Sequence, residues 1–161
     1  MIQLRNAESR REVHKTDTLY LVIPCYNEEE VLPETARQLL EKMQSLMTAG
    51  KITEKSRIVF VNDGSKDRTW ELIQKFHAEN PIYQGISLSR NRGHQNALLA
   101  GLMTVKEHCD MTISLDADLQ DDIDAIDQMI AKYEAGNDIV YGVRSARRRI
   151  PCSKSCTAEG F

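Results

Sequence analysis

The chain has 161 residues, of which 41% are hydrophobic and 28% are charged, a balance typical of one compact domain. One Trp, five Tyr and three Phe are too few for the aromatic platform that stacks single-stranded nucleic acid. No apolar run reaches the roughly 18 residues that cross a membrane. The first 16 residues have mixed charge and no apolar signal-peptide core, so we expect a cytoplasmic chain.

Charge is distributed unevenly along the chain. Residues 1–143 contain 16 Lys or Arg against 23 Asp or Glu, whereas residues 144–161 contain five basic residues and one acidic residue. An acidic body with a basic C-terminal edge suits a partner that bears phosphates, or an anionic membrane surface, and does not suit duplex DNA. The alternative is a solvated run of charge near the chain end.

Short apolar segments alternate with segments of helical period along the chain. Five apolar segments predict strands, in chain order Leu19–Ile23, Ile58–Val61, Tyr83–Leu88, Met111–Leu115 and Asp138–Tyr141. Apolar residues spaced three or four apart predict four helices between them, starting near Leu32, near Asp67 as a possible N-cap, at Gln95 and at Ile123.

This alternation predicts an α/β fold with a mostly parallel sheet and helices on both faces, a Rossmann-like doubly wound layer. We expect a peripheral arm over residues 1–16, the sheet domain over residues 17–149, and the beginning of another segment over residues 150–161. Ligands of such sheets bind outside the carboxyl ends of the strands. The residues that follow the first four strands are polar, so we expect the site there.

Two carboxylates follow the fourth strand directly. Asp116 and Asp118 can both reach one hard cation if the backbone turns between them, and Gln120 is spaced to add a neutral oxygen. Such oxygen ligands suit Mg²⁺ or Mn²⁺, which commonly bridge to substrate phosphates. An isolated pair of this kind is also compatible with a plain solvated turn.

A second acidic turn, Asp63-Gly-Ser65, follows the second strand. Its carboxylate can accept hydrogen bonds from a nucleotide base or a ribose, although this tripeptide is also a common structural turn. Neither the glycine-rich dinucleotide fingerprint nor the P-loop motif follows any strand. Nucleotide phosphates would therefore be held by a metal and basic residues.

Taken together, four ordered motifs resemble the family 2 glycosyltransferases of GT-A fold, most closely the branch with dolichol-phosphate mannosyltransferase and bacterial polyprenyl-phosphate glucosyltransferases. The resemblance extends from about residue 18 to residue 148. The motifs are Val22–Glu29, Val61–Thr69, Asn91–Ala97 and Leu115–Asp121.

The resemblance implies a role for each matching residue. It assigns the nucleotide-sugar site to Pro24, Tyr26, Asn27, Glu28, Asp63, Arg92, Gly93 and Asp116. It assigns the metal to Asp116, Asp118 and Gln120, and the catalytic centre to Asp116, Asp118, Arg144 and Arg147, with the two arginines near the acceptor phosphate. Asn62 stands where the family often has a second Asp, a departure that would soften base selectivity.

The resemblance further implies an inverting, metal-dependent transfer of a hexose from a UDP-glucose or GDP-mannose type donor to a polyprenyl phosphate. We expect further sequence beyond residue 161, action at the cytoplasmic face of a membrane, no nucleic-acid partner, and a possible homo-oligomer. Two alternatives stay open: a saccharide acceptor in cell-wall or surface polysaccharide synthesis, and a non-catalytic nucleotide-binding module.

Overall fold

A computed structural model describes residues 16–118 and 122–142. Its core is a four-stranded, wholly parallel sheet in the order β3-β2-β1-β4. The strands are β1 (Leu19–Cys25), β2 (Arg57–Asn62), β3 (Tyr83–Ser87) and β4 (Met111–Ser114). The helices are α1 (Leu32–Thr48), α2 (Thr69–Glu79), α3 (His94–Val105) and α4 (Ala125–Glu134).

The two central strands are buried on both faces. In β1, Leu21 and Ile23 pack into the core that also holds α1, α2 and α4, whereas Val22 points to the opposite face and packs with Ala97 of α3. Period-two alternation sends successive side chains to opposite faces. The prediction of a parallel sheet with helices on both faces is therefore confirmed.

The first helix shows how the sequence determines each element. Its buried residues recur every three or four positions, and Pro33 lies in the first turn, where a missing N–H costs nothing. Beyond its last residue, Gly50 adopts a positive φ of 69°, the conformation that most readily ends a helix. The predicted start near Asp67 is also close: Asp67 Oδ1 accepts the N–H of Thr69, the first residue of α2, at 3.0 Å.

The fifth predicted strand, Asp138–Tyr141, is wrong. The segment is irregular, with Ile139 72% and Tyr141 82% exposed. Apolar residues make a strand only when a neighbour supplies hydrogen bonds, and in the described part of the chain none pairs with this segment.

Several predictions fall outside the described residues. These are the basic edge with Arg144 and Arg147, the proposed metal ligand Gln120, the segment 150–161, and all of the N-terminal arm except Thr16. In residues 16–118 and 122–142, no helix combines the length and apolar character needed to cross a membrane.

Candidate functional site

The loops that follow the four strands meet at one edge of the sheet. The strands are parallel, and Cys25 at the end of β1 pairs with Asn62 at the end of β2, which in turn pairs with Ser87 at the end of β3. Asp63 and Asp118, 55 positions apart in sequence, therefore lie at the same edge. The predicted location of the site is consistent with this arrangement.

The loop after β1 is tied to the loop after β2. The Asn27 N–H donates to Ser65 Oγ at 3.0 Å, and Asn27 Oδ1 accepts the Lys66 N–H at 2.8 Å. Asn27 is the one non-glycine residue with positive φ, 56°, in the described chain, a conformation that Asn tolerates better than most residues. Next to it, the Glu28 N–H donates to Thr69 Oγ1 at 2.8 Å. These bonds fix Tyr26–Glu28 against the start of α2.

Asp63 holds the loop after β3. Its side chain is 2% exposed. Its Oδ1 accepts the Arg92 N–H at 2.6 Å and its Oδ2 accepts the Gly93 N–H at 2.8 Å. Arg92 and Gly93, which we expected to lie near Asp63, therefore contact it directly. A carboxylate has about four lone-pair positions, so Asp63 keeps acceptor capacity beyond these two bonds.

Close packing beneath this loop requires glycine at position 64. A Cβ at Gly64, whose φ is 67°, would lie 2.6 Å from the backbone carbonyl carbon of Arg90 and from the backbone nitrogen of Asn91. The Asp63-Gly-Ser65 turn is thus shaped to bring two strand-end loops into contact.

Asn62 has a structural role that the sequence did not show. It is 4% exposed; its Oδ1 accepts the Ser65 N–H and its Nδ2 donates to Ser87 Oγ, both at 3.0 Å. Both ends of the Asn62 amide thus bind protein groups, and its effect on base selectivity stays a prediction.

Pro24 ends the pairing between β1 and β4. The Leu115 N–H donates to the Val22 carbonyl at 3.3 Å, which shows that even-numbered backbone groups of β1 face β4. Pro24 is the next residue on that side and has no N–H to donate, so the ladder stops. The chain is thereby released from the sheet just before Asp116. Pro24 itself is buried; its assignment to the nucleotide wall stays a prediction.

The released chain forms the turn Asp116-Ala117-Asp118. Both carboxylate residues are exposed, whereas Ala117 is 4% exposed and belongs to the core. On α1, the buried Thr35 hydroxyl donates to the Ala117 carbonyl at 2.6 Å. Sequence reasoning missed Thr35, because no local pattern relates two residues 82 positions apart.

The carboxylates at this edge affect one another. Burial and then the negative charges of Asp118, Asp67 and Asp116 raise the pKa of Glu28 above its ordinary 4.5. Burial also raises the pKa of Asp67, but hydrogen bonds from Thr69 and Glu29 outweigh it, and the net pKa lies below its ordinary value. A cation placed here would relieve the repulsion that Glu28 experiences.

His94, the first residue of α3, adds a positive charge when protonated. Its Nε2 lies 3.7 Å from Asp116 Oδ1, with both side chains about half exposed. The start of α3 therefore lies beside the polar groups that follow β1, β2 and β4.

Comparison with known proteins identifies the family. The sequence model described as Glycosyl transferase family 2 matches residues 20–150. This chain belongs to that family.

Curated relatives of this chain carry transferase names. The chain is 50% identical over 143 residues to the uncharacterized glycosyltransferase YkoT of Bacillus subtilis (strain 168), covering 89% of this chain and 42% of that protein. It is 39% identical over 146 residues to the prophage bactoprenol glucosyl transferase homolog of Escherichia coli (strain K12), covering 88% and 44%. The chain thus spans less than half the length of these relatives.

A solved structure shares the fold of this chain. The mannosyltransferase PcManGT from Pyrobaculum calidifontis, in complex with GDP-Man and Mn²⁺, superposes with a TM-score of 0.58 at 19% identity, covering 78% of this chain and 34% of that one. At this identity the likeness establishes the GT-A fold. The predicted fold class is confirmed.

The described residues fit a divalent cation in part. Asp116 and Asp118 offer the hard oxygen donors that Mg²⁺ and Mn²⁺ prefer. The pKa of Glu28 is raised first by burial and then by the negative charge gathered there. No group of three or more His, Cys, Asp or Glu side chains is placed to hold a metal in the described ranges. This donor set suits an ion bound by one or two carboxylates and completed by phosphate oxygens.

Proposed function

We propose that this chain is the donor-binding part of an inverting glycosyltransferase that moves a hexose from a nucleotide-diphosphate sugar to a polyprenyl phosphate. The observation that carries the proposal is that the four family motifs converge on one edge of the sheet. Two exposed carboxylates, Asp116 and Asp118, lie there, directly after the point where Pro24 ends the pairing of β1 with β4. Family 2 membership over residues 20–150 supports the reaction class. The name of the bactoprenol relative supports the lipid-phosphate acceptor.

In this proposal the nucleotide lies across the loops after β1 and β2. Tyr26, 40% exposed, offers a ring at the mouth of the site. The bonds of Asn27 to the loop after β2 and of Glu28 to the first residue of α2 keep this wall rigid. Asp63 would place the Arg92–Gly93 loop beside the base through its two hydrogen bonds to the backbone of that loop. Rigid supports of this kind reduce the entropy lost on binding.

The reaction exchanges one carbon–oxygen bond for another. An oxygen of the acceptor phosphate attacks C1 of the hexose, the bond from C1 to the donor phosphate oxygen breaks, and the nucleoside diphosphate leaves with the electron pair. A bound Mg²⁺ or Mn²⁺ would act as a Lewis acid on that leaving group. The acceptor phosphate is already anionic at neutral pH, so no general base is required, in contrast to a sugar hydroxyl.

Asp116 and Asp118 would hold the ion, with Gln120 completing the ligand set from outside the described residues. Arg144 and Arg147, also outside them, would bind the acceptor phosphate, since guanidinium groups pair with phosphate in a bidentate manner. The basic segment 144–161 would serve the same phosphate or an anionic membrane surface.

Calorimetric titration tests the donor half. UDP-glucose, GDP-mannose and NAD are each titrated into the chain with and without Mn²⁺, and the titrations are repeated with Asp118→Asn. The matched control is Asp110→Asn, which removes the same charge just before β4, at the opposite end of the same strand. We expect one sugar nucleotide to bind with Mn²⁺-dependent affinity that Asp118→Asn reduces about tenfold or more and Asp110→Asn leaves unchanged.

The other outcomes separate the alternatives. Binding that is equal for all three nucleotides, with or without Mn²⁺, would contradict the metal and donor assignments. Mn²⁺-dependent binding without transfer to polyprenyl phosphate, but with transfer to an oligosaccharide, would favour the saccharide acceptor. Binding without any transfer would favour a non-catalytic nucleotide-binding module.

A further inference from the structure

Thr35 occupies an unusual place for a polar residue of a helix. It lies in α1, on the face that packs against the sheet, and is 1% exposed. A threonine in such a position ordinarily returns its hydroxyl proton to the carbonyl four residues earlier in its own helix. Here that carbonyl belongs to Val31, at 3.1 Å.

A second acceptor lies closer. The carbonyl oxygen of Ala117 is 2.6 Å from Thr35 Oγ1, whereas the Val31 carbonyl already accepts the backbone N–H groups of Glu34 and Thr35. A hydroxyl has one proton, and the shorter distance directs it to Ala117. The bond is buried, so its loss would leave a carbonyl without this donor in the interior.

The geometry points to Thr35 as a positioning residue for the metal-binding turn, an inference that rests on the proposed function. The Ala117 side chain is fixed by the core and its carbonyl by Thr35. The two neighbouring carboxylates are then turned outward. Pro24 releases the chain from β4, and Thr35 determines where the released chain goes. Thr35 touches neither nucleotide nor ion; it acts through the backbone between the two ligands.

Two substitutions separate the hydroxyl from the shape of the side chain. Thr35→Val keeps the volume and removes the donor, whereas Thr35→Ser keeps the donor. Thr18→Val is the matched control: Thr18 is 9% exposed and its hydroxyl bonds Thr53 Oγ1 at 3.0 Å, but it lies just before β1, at the opposite edge of the sheet. Each valine variant loses one side-chain hydrogen bond, which is buried for Thr35 and part-buried for Thr18.

The first measurement needs no ligand. Amide hydrogen exchange at Asp116–Asp118 is followed in the metal-free chain, together with the urea unfolding midpoint. We expect Thr35→Val to accelerate exchange at this turn about three- to tenfold, the range that one net hydrogen bond permits. Thr18→Val should lower the unfolding midpoint comparably without accelerating exchange there, and Thr35→Ser should behave as wild type.

The second measurement is the affinity for UDP or GDP with and without Mn²⁺. Thr35→Val should reduce the Mn²⁺-dependent increase in affinity about three- to tenfold and leave metal-free affinity within about twofold. A purely structural role would lower both together, as in Thr18→Val, or neither. Restoration by Thr35→Ser identifies the hydroxyl as the cause.

The two readouts distinguish the two claims. If wild type shows no Mn²⁺-dependent affinity, the proposed function fails, while accelerated exchange in Thr35→Val still establishes that Thr35 holds the turn. If exchange at Asp116–Asp118 is the same in Thr35→Val as in Thr18→Val, the positioning role is overturned, whatever the nucleotide affinity.

Discussion

At the edge of the sheet where the strands begin, side chains bind the backbone singly. Ser56 Oγ accepts the Leu19 N–H at 3.0 Å, and Asp110 Oδ2 accepts the Thr18 N–H at 2.9 Å. At the edge where the strands end, Asp63 binds two backbone N–H groups of another loop. There, burial and then the negative charges of neighbouring carboxylates raise the pKa of Glu28. The first edge only closes strand ends. The second also gathers charge that a bound cation would neutralise.

The largest effect should come from Asp63→Ala. The substitution removes two hydrogen bonds to a carboxylate that is 2% exposed, and only the Gly93 N–H keeps a second acceptor, Asn91 Oδ1 at 3.1 Å. We expect the free energy of unfolding to fall by about 4 kcal/mol. Asp110→Ala removes one exposed carboxylate bond at the opposite edge and should cost about 1 kcal/mol. Urea denaturation measures both. Equal costs would show that the two edges are built alike.

A smaller effect is expected from Gly64→Ala. The new Cβ lies 2.6 Å from the backbone of Arg90, and the alanine must adopt the positive φ of Gly64. We therefore expect the free energy of unfolding to fall by about 3 kcal/mol. Gly50→Ala provides the control, because Gly50 has nearly the same φ, 69° against 67°, with nothing within 4 Å. It should cost about 1 kcal/mol from backbone strain alone. If the free energy of unfolding falls equally in both variants, the backbone of Arg90 does not crowd residue 64.

The smallest effect concerns pH. The raised pKa of Glu28 means that the folded chain binds this proton more tightly than the unfolded chain. The resulting stabilisation is present below the ordinary value of 4.5 and is lost as pH rises through the raised pKa. Glu28→Gln should therefore become more stable relative to wild type as the pH rises above 4.5. Denaturation at several pH values checks this, with Glu54→Gln removing a charge at the opposite edge; identical pH profiles for the two variants would contradict the prediction.

Features that depend on local interactions could be predicted from the sequence, whereas features that depend on contacts between distant residues could not. Strands β1 to β4 and the four helices could be predicted from the sequence, because hydrophobic periodicity and turn residues are local signals. The contact of Asp63 with the loop at Arg92 and Gly93 was expected from the resemblance, since the motifs follow strands that end at the same edge. The strand at Asp138–Tyr141 was wrong because apolar character does not supply a hydrogen-bonding neighbour.

The contributions of Thr35 and Asn62 could not be found in the same way. Whether a threonine on the buried face of a helix bonds its own helix or a distant carbonyl depends on the packing of α1 against the chain after β4. Asn62 looked like a departure from a recognition residue, yet its amide joins the β2 turn to Ser87. Such roles depend on tertiary geometry rather than on residue type.

The bonds that shape the site join residues far apart in the chain: 29 positions between Asp63 and Arg92, 41 between Glu28 and Thr69, and 82 between Thr35 and Ala117. Each closes a long loop, and closure is entropically costly until the sheet has aligned its strand ends. We therefore expect the site to assemble late in folding and to be lost when the sheet unfolds. Any nucleotide that binds only the assembled site stabilises the whole domain by mass action, so a thermal-shift screen of sugar nucleotides reports binding without requiring turnover or an acceptor lipid.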